Sequence, residues 1–181
     1  MTKNIRNALR RFGRKEDGSV YVIEWALVFP VLFLVLLSSW ELGLYSFRQN
    51  FLDRGMDLAV RDIRLNTGTK YTHSQVKQMI CEDAGFLNDC LQNLKLEMKT
   101  VDPRAFVAFA GSVDCVDRSQ PLLPSREFVH GNDHDLMVLR ACYLYDPVFP
   151  HIGMGKAMTD DGARDGYPIV AVSVFVQEPN T

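Results

Sequence analysis

The sequence predicts an α+β fold in which one long N-terminal helix is followed by a small antiparallel sheet. Three observations predict it. An apolar run from Val20 to Trp40 carries a single charge, Glu24. Past that run the apolar positions recur at helical spacing, and from Leu94 onward the periodicity becomes that of strands.

Roughly 21 residues at ~1.5 Å each reach ~32 Å, enough to cross the ~30 Å hydrocarbon core of a bilayer. Residues 20–44 therefore read as a single transmembrane helix. The head before it, residues 1–19, holds Lys3, Arg6, Arg10, Arg11, Arg14 and Lys15 against Glu16 and Asp17. The positive-inside rule counts the basic residues and largely ignores the acids, so the N-terminus is expected to stay cytoplasmic and the rest to be translocated. A secretory signal has a shorter apolar region that ends at a small-residue cleavage site, whereas here Ser38-Ser39 is followed by Trp40 and Glu41. A carboxylate inside such a run costs about 2.5 to 3.5 kcal/mol at the bilayer centre. Glu24 is thus the first functional candidate.

The helix is expected to continue, because Leu44, Tyr45, Phe51, Leu52, Met56, Val60 and Ile63 alternate with Arg48, Asp53, Arg54, Asp57 and Arg61. This amphipathic extension, residues 45–67, ends at the turn signal Asn66-Thr67-Gly68, which gives ~45 residues and roughly 68 Å in all. Pro30 is expected to bend or loosen the span, and Gly43 and Gly55 to weaken the helix. The lower span is expected to face partners, with the stripe from Phe51 onward docked on the protein's own sheet.

Residues 68–181 form the extracytoplasmic α+β domain. A second helix starts at Thr72, where Gln75 completes a capping box and Tyr71 with Val76 a hydrophobic staple, and it leaves at Gly85. Leu94 to Lys99 alternates strictly, the pattern of a half-buried strand, and stops before Asp102-Pro103. Leu136 to Tyr145 and Ile169 to Gln177 are apolar on both faces and rich in Val, Leu and Tyr, so they read as more central strands of a sheet of three or four. Ser112 to Asp135 and Asp146 to Pro168 are polar, Pro- and Gly-bearing loops.

A net charge of −2 gives no argument for nucleic-acid binding. Cys81, Cys90, Cys115 and Cys142 all lie on the translocated side, and an even count there suggests two disulfides. Sequence alone does not choose among the three connectivities. The short segment from Cys81 to Cys90 closes easily and favours that pair together with Cys115–Cys142. No C-x2-C spacing occurs and the His do not space with the Cys, so no metal site is expected. His130, Asp133, His134 and Asp135 could supply ligands, yet His130 and His134 share a face only on a helix, and Gly131-Asn132-Asp133 argues for a turn. Asp160, Asp161 and Asp165 do not match the twelve-residue calcium pattern. Phosphate-loop, Rossmann and G-x-S-x-G motifs are missing, and Ser112, Ser119 and Ser125 have no motif around them. No catalytic residue and no cofactor is expected. The alternative reading is a periplasmic ligand-binding or enzymatic domain held by an uncleaved signal anchor.

The stretch Asp17-Gly18-Ser19-Val20-Tyr21-Val22-Ile23-Glu24-Trp25-Ala26-Leu27-Val28-Phe29-Pro30, with Glu41-Leu42-Gly43-Leu44, Arg48, Arg54-Gly55-Met56-Asp57 and Cys81-Glu82-Asp83-Ala84-Gly85, resembles the TadE-like minor pseudopilins of the tight-adherence (Flp) pilus system. The likeness covers residues ~10 to 90 and lies within the type IV pilin-like proteins. It implies a pilin-like fold and a structural, non-enzymatic role in pilus assembly at the inner membrane, with the C-terminal domain periplasmic. It implies a prepilin peptidase that cuts the leader ahead of the apolar helix, with Gly18 the last leader residue. The family places its Glu fifth in the mature chain; a cut after Gly18 makes Glu24 sixth, and a cut after Ser19 makes it fifth. Other implied partners are minor pilins and the assembly platform, besides the lipid bilayer. A new α-ammonium at the helix start could pair with Glu24 of a neighbouring subunit, offsetting the desolvation of both and fixing their stagger.

Overall fold

The structure, a computed structural model, describes residues 19–66, 68–105, 113–118, 127–160 and 166–179. Helix α1 (Ser19–Leu65) is 47 residues long and runs unbroken through Pro30. Its second half buries Leu52, Met56, Ala59, Val60 and Ile63, spaced so that they fall on one face. Helix α2 (His73–Ala84) carries the expected capping box: the Gln75 N–H donates to Thr72 Oγ1 at 3.4 Å, and the Thr72 N–H donates to Gln75 Oε1 at 2.8 Å. Gly85 ends it at a positive φ of 63°, and the Phe86 N–H donates to the Ala84 carbonyl across it at 2.6 Å. At Gly55 the two helices nearly touch, since a Cβ there would lie 2.6 Å from the Ile80 carbonyl oxygen and 3.0 Å from Ala84 Cβ. Gly55 weakens α1 locally, but it also lets α2 approach closely.

Helix α3 (Cys90–Asn93) leads into three antiparallel strands in the order β1-β2-β3: β1 (Leu94–Val101), β2 (Leu136–Tyr145) and β3 (Tyr167–Val176). Glu97 stands opposite Arg140, which stands opposite Val172. Leu94, Leu96, Met98, Met137, Leu139, Ala141, Tyr143, Ile169, Ala171 and Phe175 line the inner face and close the core against α1 and α2. Helix α1 lies along β3. The Gln49 amide donates to the Val170 carbonyl at 3.2 Å, and the Gln177 amide donates to the Ile63 carbonyl at 3.4 Å. Between those ties the helix rises ~21 Å and the strand ~23 Å, so the two run side by side in one direction.

Four sequence expectations need correction. β1 is not half-buried, because Lys95 and Glu97 on its polar face are covered as well. The segment 113–118 lies over them, with Lys95 paired to Asp114 at 3.0 Å and Glu97 to Arg140 Nε at 2.7 Å. Opposite charges brought together make the burial tolerable. β3 is an edge strand rather than a central one, with Val172, Val174 and Val176 exposed on the face turned from α1. The loop after β2 contains a helix of its own, α4 (Gly153–Asp160). Docking of α1 begins near Ser38, where Gly153 packs against it, not at Phe51.

Candidate functional site

Among the described residues, the lower half of α1 stands out as largely uncovered. From Tyr21 to Leu36 every residue is exposed, including Trp25, Leu27, Phe29, Val31 and Phe33. Phe29 and Phe33, one turn apart, stack with ring centroids 5.7 Å apart. The helix that carries this stretch is, by length and composition, long and apolar enough to cross a membrane. Leaving so much apolar surface bare in water would oppose folding by about 25 cal/mol per Å². Lipid or other helices around it would remove that cost. Glu24 lies on this bare stretch, exposed like its neighbours. Ser19 is the first helical residue, and Gly18 lies outside the described residues.

At the top of the bare stretch the chain makes a collar around a buried carboxylate. Glu41 is 0% exposed. The Tyr145 hydroxyl donates to its Oε1, as does the Val148 N–H at 3.1 Å, and the Phe149 N–H donates to Oε2 at 3.2 Å. Two backbone donors and a phenol aimed at one carboxylate are a charge-assisted set, stronger than neutral bonds. Arg48, two turns up the same helix, sits 4.6 Å above the Tyr145 ring and brings positive charge to the same place. Tyr45 packs edge-on against both Tyr145 and Tyr167, at 6.3 and 5.7 Å. Burial pushes the Tyr145 hydroxyl far above the usual phenol range, and the hydrogen bond to Glu41 and its charge push it further. The phenol is therefore a permanent donor.

The base of the collar is fixed from the other side. Arg118 donates to both carboxylate oxygens of Asp146 at 2.8 Å, and to Asn93 Oδ1 at 3.1 and 3.3 Å. Disulfides join Cys81 to Cys90 and Cys115 to Cys142. The first ties α2 to α3; the second pins 113–118 to β2.

Of the other sequence candidates, His130 and Asp133 come together at the wall of one cavity. His130, Asp133, His134 and Asp135 lie in a turn, with His134 at φ 69°, not on a helix. Asp160 ends α4, while Ser112, Ser119, Ser125, Asp161 and Asp165 lie outside the described residues. Among the described residues no group of three or more His, Cys, Asp or Glu could hold a metal. Sequence reasoning missed the functional weight of Glu41 and Tyr145. The available signal was position: Glu41 is the first charge after the apolar run, and a carboxylate there needs donors.

The fold and site define a small α+β domain carried on a single long helix, whose first half is bare and whose second half is embedded. Residues 18–61, about a quarter of the chain, match the family model of TadE-like proteins. The match takes in both halves of α1, with Glu24 and Glu41, and ends before α2. No curated protein and no solved structure matches the chain.

Proposed function

We propose that the protein is a membrane-anchored minor pseudopilin that acts structurally, without catalysis, in assembly of a tight-adherence pilus. The bare apolar helix carries the reading: from Tyr21 to Leu36 α1 is exposed among the described residues, and that stretch lies within the TadE-like match. In this reading α1 crosses the inner membrane with the basic head cytoplasmic and the sheet domain periplasmic. A prepilin peptidase removes the leader at Gly18 or Ser19, and the new ammonium pairs with Glu24 of a neighbouring subunit. Other minor pilins and the assembly platform then pack along the span. Intact-mass and N-terminal analysis of protein from native membranes tests it. A start at Ser19 or Val20 supports processing and fixes the register of Glu24; a start at Met1 means an uncleaved anchor and overturns the processing step.

A second reading, a tethered ligand-binding domain, has one observation in its favour. A cavity of about 330 Å³ opens at the far end of the domain between Ile63, Lys70, Met98, His130, Asp133 and Gln177. Its walls mix apolar and charged groups, as ligand sites do. Normal pilus output from a Glu24→Ala variant would move weight to this reading.

A further inference from the structure

The loop held by Glu41 does not stay above the apolar run. A Cβ built on Gly153 would lie 2.5 Å from Ser38 Oγ and 3.9 Å from the Leu34 carbonyl oxygen, so the start of α4 rests against the helix between those residues. If the run is centred near Pro30, half of a ~30 Å core places its upper boundary ~10 residues on, at Trp40. Leu34 and Ser38 then lie roughly 9 and 3 Å below that boundary. The chain passes from Val148 and Phe149, tied to Glu41 at the boundary, down to Gly153 beneath it.

The exposed residues of this segment match that depth. Val148 is 50% and Ile152 45% exposed, although both are branched aliphatics that water does not favour. Exposed Trp40 stands at the same level, where aromatic belts form. Exposed Lys156 and His151 have polar ends free to reach headgroups. Irregular backbone at the edge of lipid must satisfy its own polar groups, and several here are closed internally. The Ile152 N–H donates to the Phe149 carbonyl at 3.3 Å, and the Thr159 hydroxyl donates to the Pro150 carbonyl at 3.2 Å. Interfacial elements lie ~5 to 10 Å into the headgroup and acyl boundary, the level at which this segment meets α1.

We propose that residues 148–160 form a foot seated in the leaflet on the domain side of the membrane. Val148 and Ile152 rest against acyl chains and Lys156 at the headgroups. The foot rests on the reading of α1 as a transmembrane span, and it adds a second point of support beside that span. Two supports fix the height and tilt of the sheet domain against the bilayer, whereas α1 alone leaves the domain free to tilt with the helix.

Single fluorophores at Ile152→Cys, Leu32→Cys and Glu178→Cys test this in the full chain, with both disulfides closed, in nanodiscs of phosphatidylcholine and phosphatidylglycerol. The probes are lipids spin-labelled near the headgroup end of the acyl chain for 152 and 178, lipids labelled near its methyl end for 32, and aqueous iodide. The foot predicts quenching at 152 by spin-labelled lipid of about two-fold or more, with shielding from iodide, while 178 shows the reverse. If 32 is lipid-quenched and 152 behaves like 178, the foot is overturned and the span stands. Shielding of 152 from both quenchers means that a neighbouring chain covers it, and also overturns the foot. Failure of lipid to quench 32 overturns the span and the foot together.

Discussion

The two halves of α1 are one continuous helix with opposite surroundings. Below Leu36 each described side chain is exposed; above Glu41, Leu52, Met56 and Ala59 are as buried as any core residue. The difference teaches that helix formation and docking are separate properties. Both halves are helical because both sequences allow it, but only the second has a stripe narrow enough for a sheet to cover. The lower half is apolar all round, so covering it takes a surrounding solvent such as lipid, or several helices. Glu41 marks the boundary: it is the lowest residue of α1 whose polar group the domain fully satisfies.

The sharpest way to break this comparison is to put charge on the bare half. Leu27→Asp adds a cost of about 2.5 to 3.5 kcal/mol within the apolar run. The expected result is loss of pili by electron microscopy with no change in the thermal unfolding of the sheet domain. Unfolding at a lower temperature would show that the two halves are coupled. On the docked side the largest effect belongs to the Cys115–Cys142 bridge. Its sequence separation is 27, and loop entropy predicts that replacing both cysteines by Ser costs about 3.5 kcal/mol in a denaturant titration. The Cys81–Cys90 bridge, with a separation of 9, is expected to cost less, about 2.6 kcal/mol.

The boundary is tested by Glu41→Gln. The amide keeps the size but replaces one acceptor oxygen with a donor facing donors, and the expected loss is about 2 kcal/mol. Faster proteolysis within residues 146–160 should accompany it, because this carboxylate holds the Val148 and Phe149 N–H groups. Unchanged proteolysis would mean that Arg118 and Asp146 alone hold the loop.

What could be read in advance follows the same division between local and distant partners. The Thr72–Gln75 capping box spans three residues, and the structure forms it in both directions. The length of α1 follows from a continuous run and a turn signal, so its end at Leu65 was also accessible. The alternation from Leu94 to Lys99 identifies a strand but not its burial, since Asp114 and Arg140, which neutralise Lys95 and Glu97, come from 19 and 43 residues away. Glu41 was hidden for the same reason: Tyr145, Val148 and Phe149 lie 104, 107 and 108 residues along the chain. Nothing in the spacing of single residues encodes such pairings. β3 misled in the opposite way, because its outward valines are exposed where an all-apolar pattern suggests cover on both faces.

The smallest effect is the most informative control. Thr72→Ala removes a side-chain acceptor at the start of α2 and is expected to cost about 1 kcal/mol of domain stability. It touches neither the bare half of α1 nor the collar. If the halves are energetically separate, this variant should melt a few degrees lower and still assemble pili as the parent does, the mirror image of Leu27→Asp. Should Thr72→Ala reduce pilus output in proportion to its lost stability, assembly would draw on the folded domain as well as on the span. The contact surface would then extend above Glu41 onto the sheet, where Val172, Val174 and Val176 stand exposed.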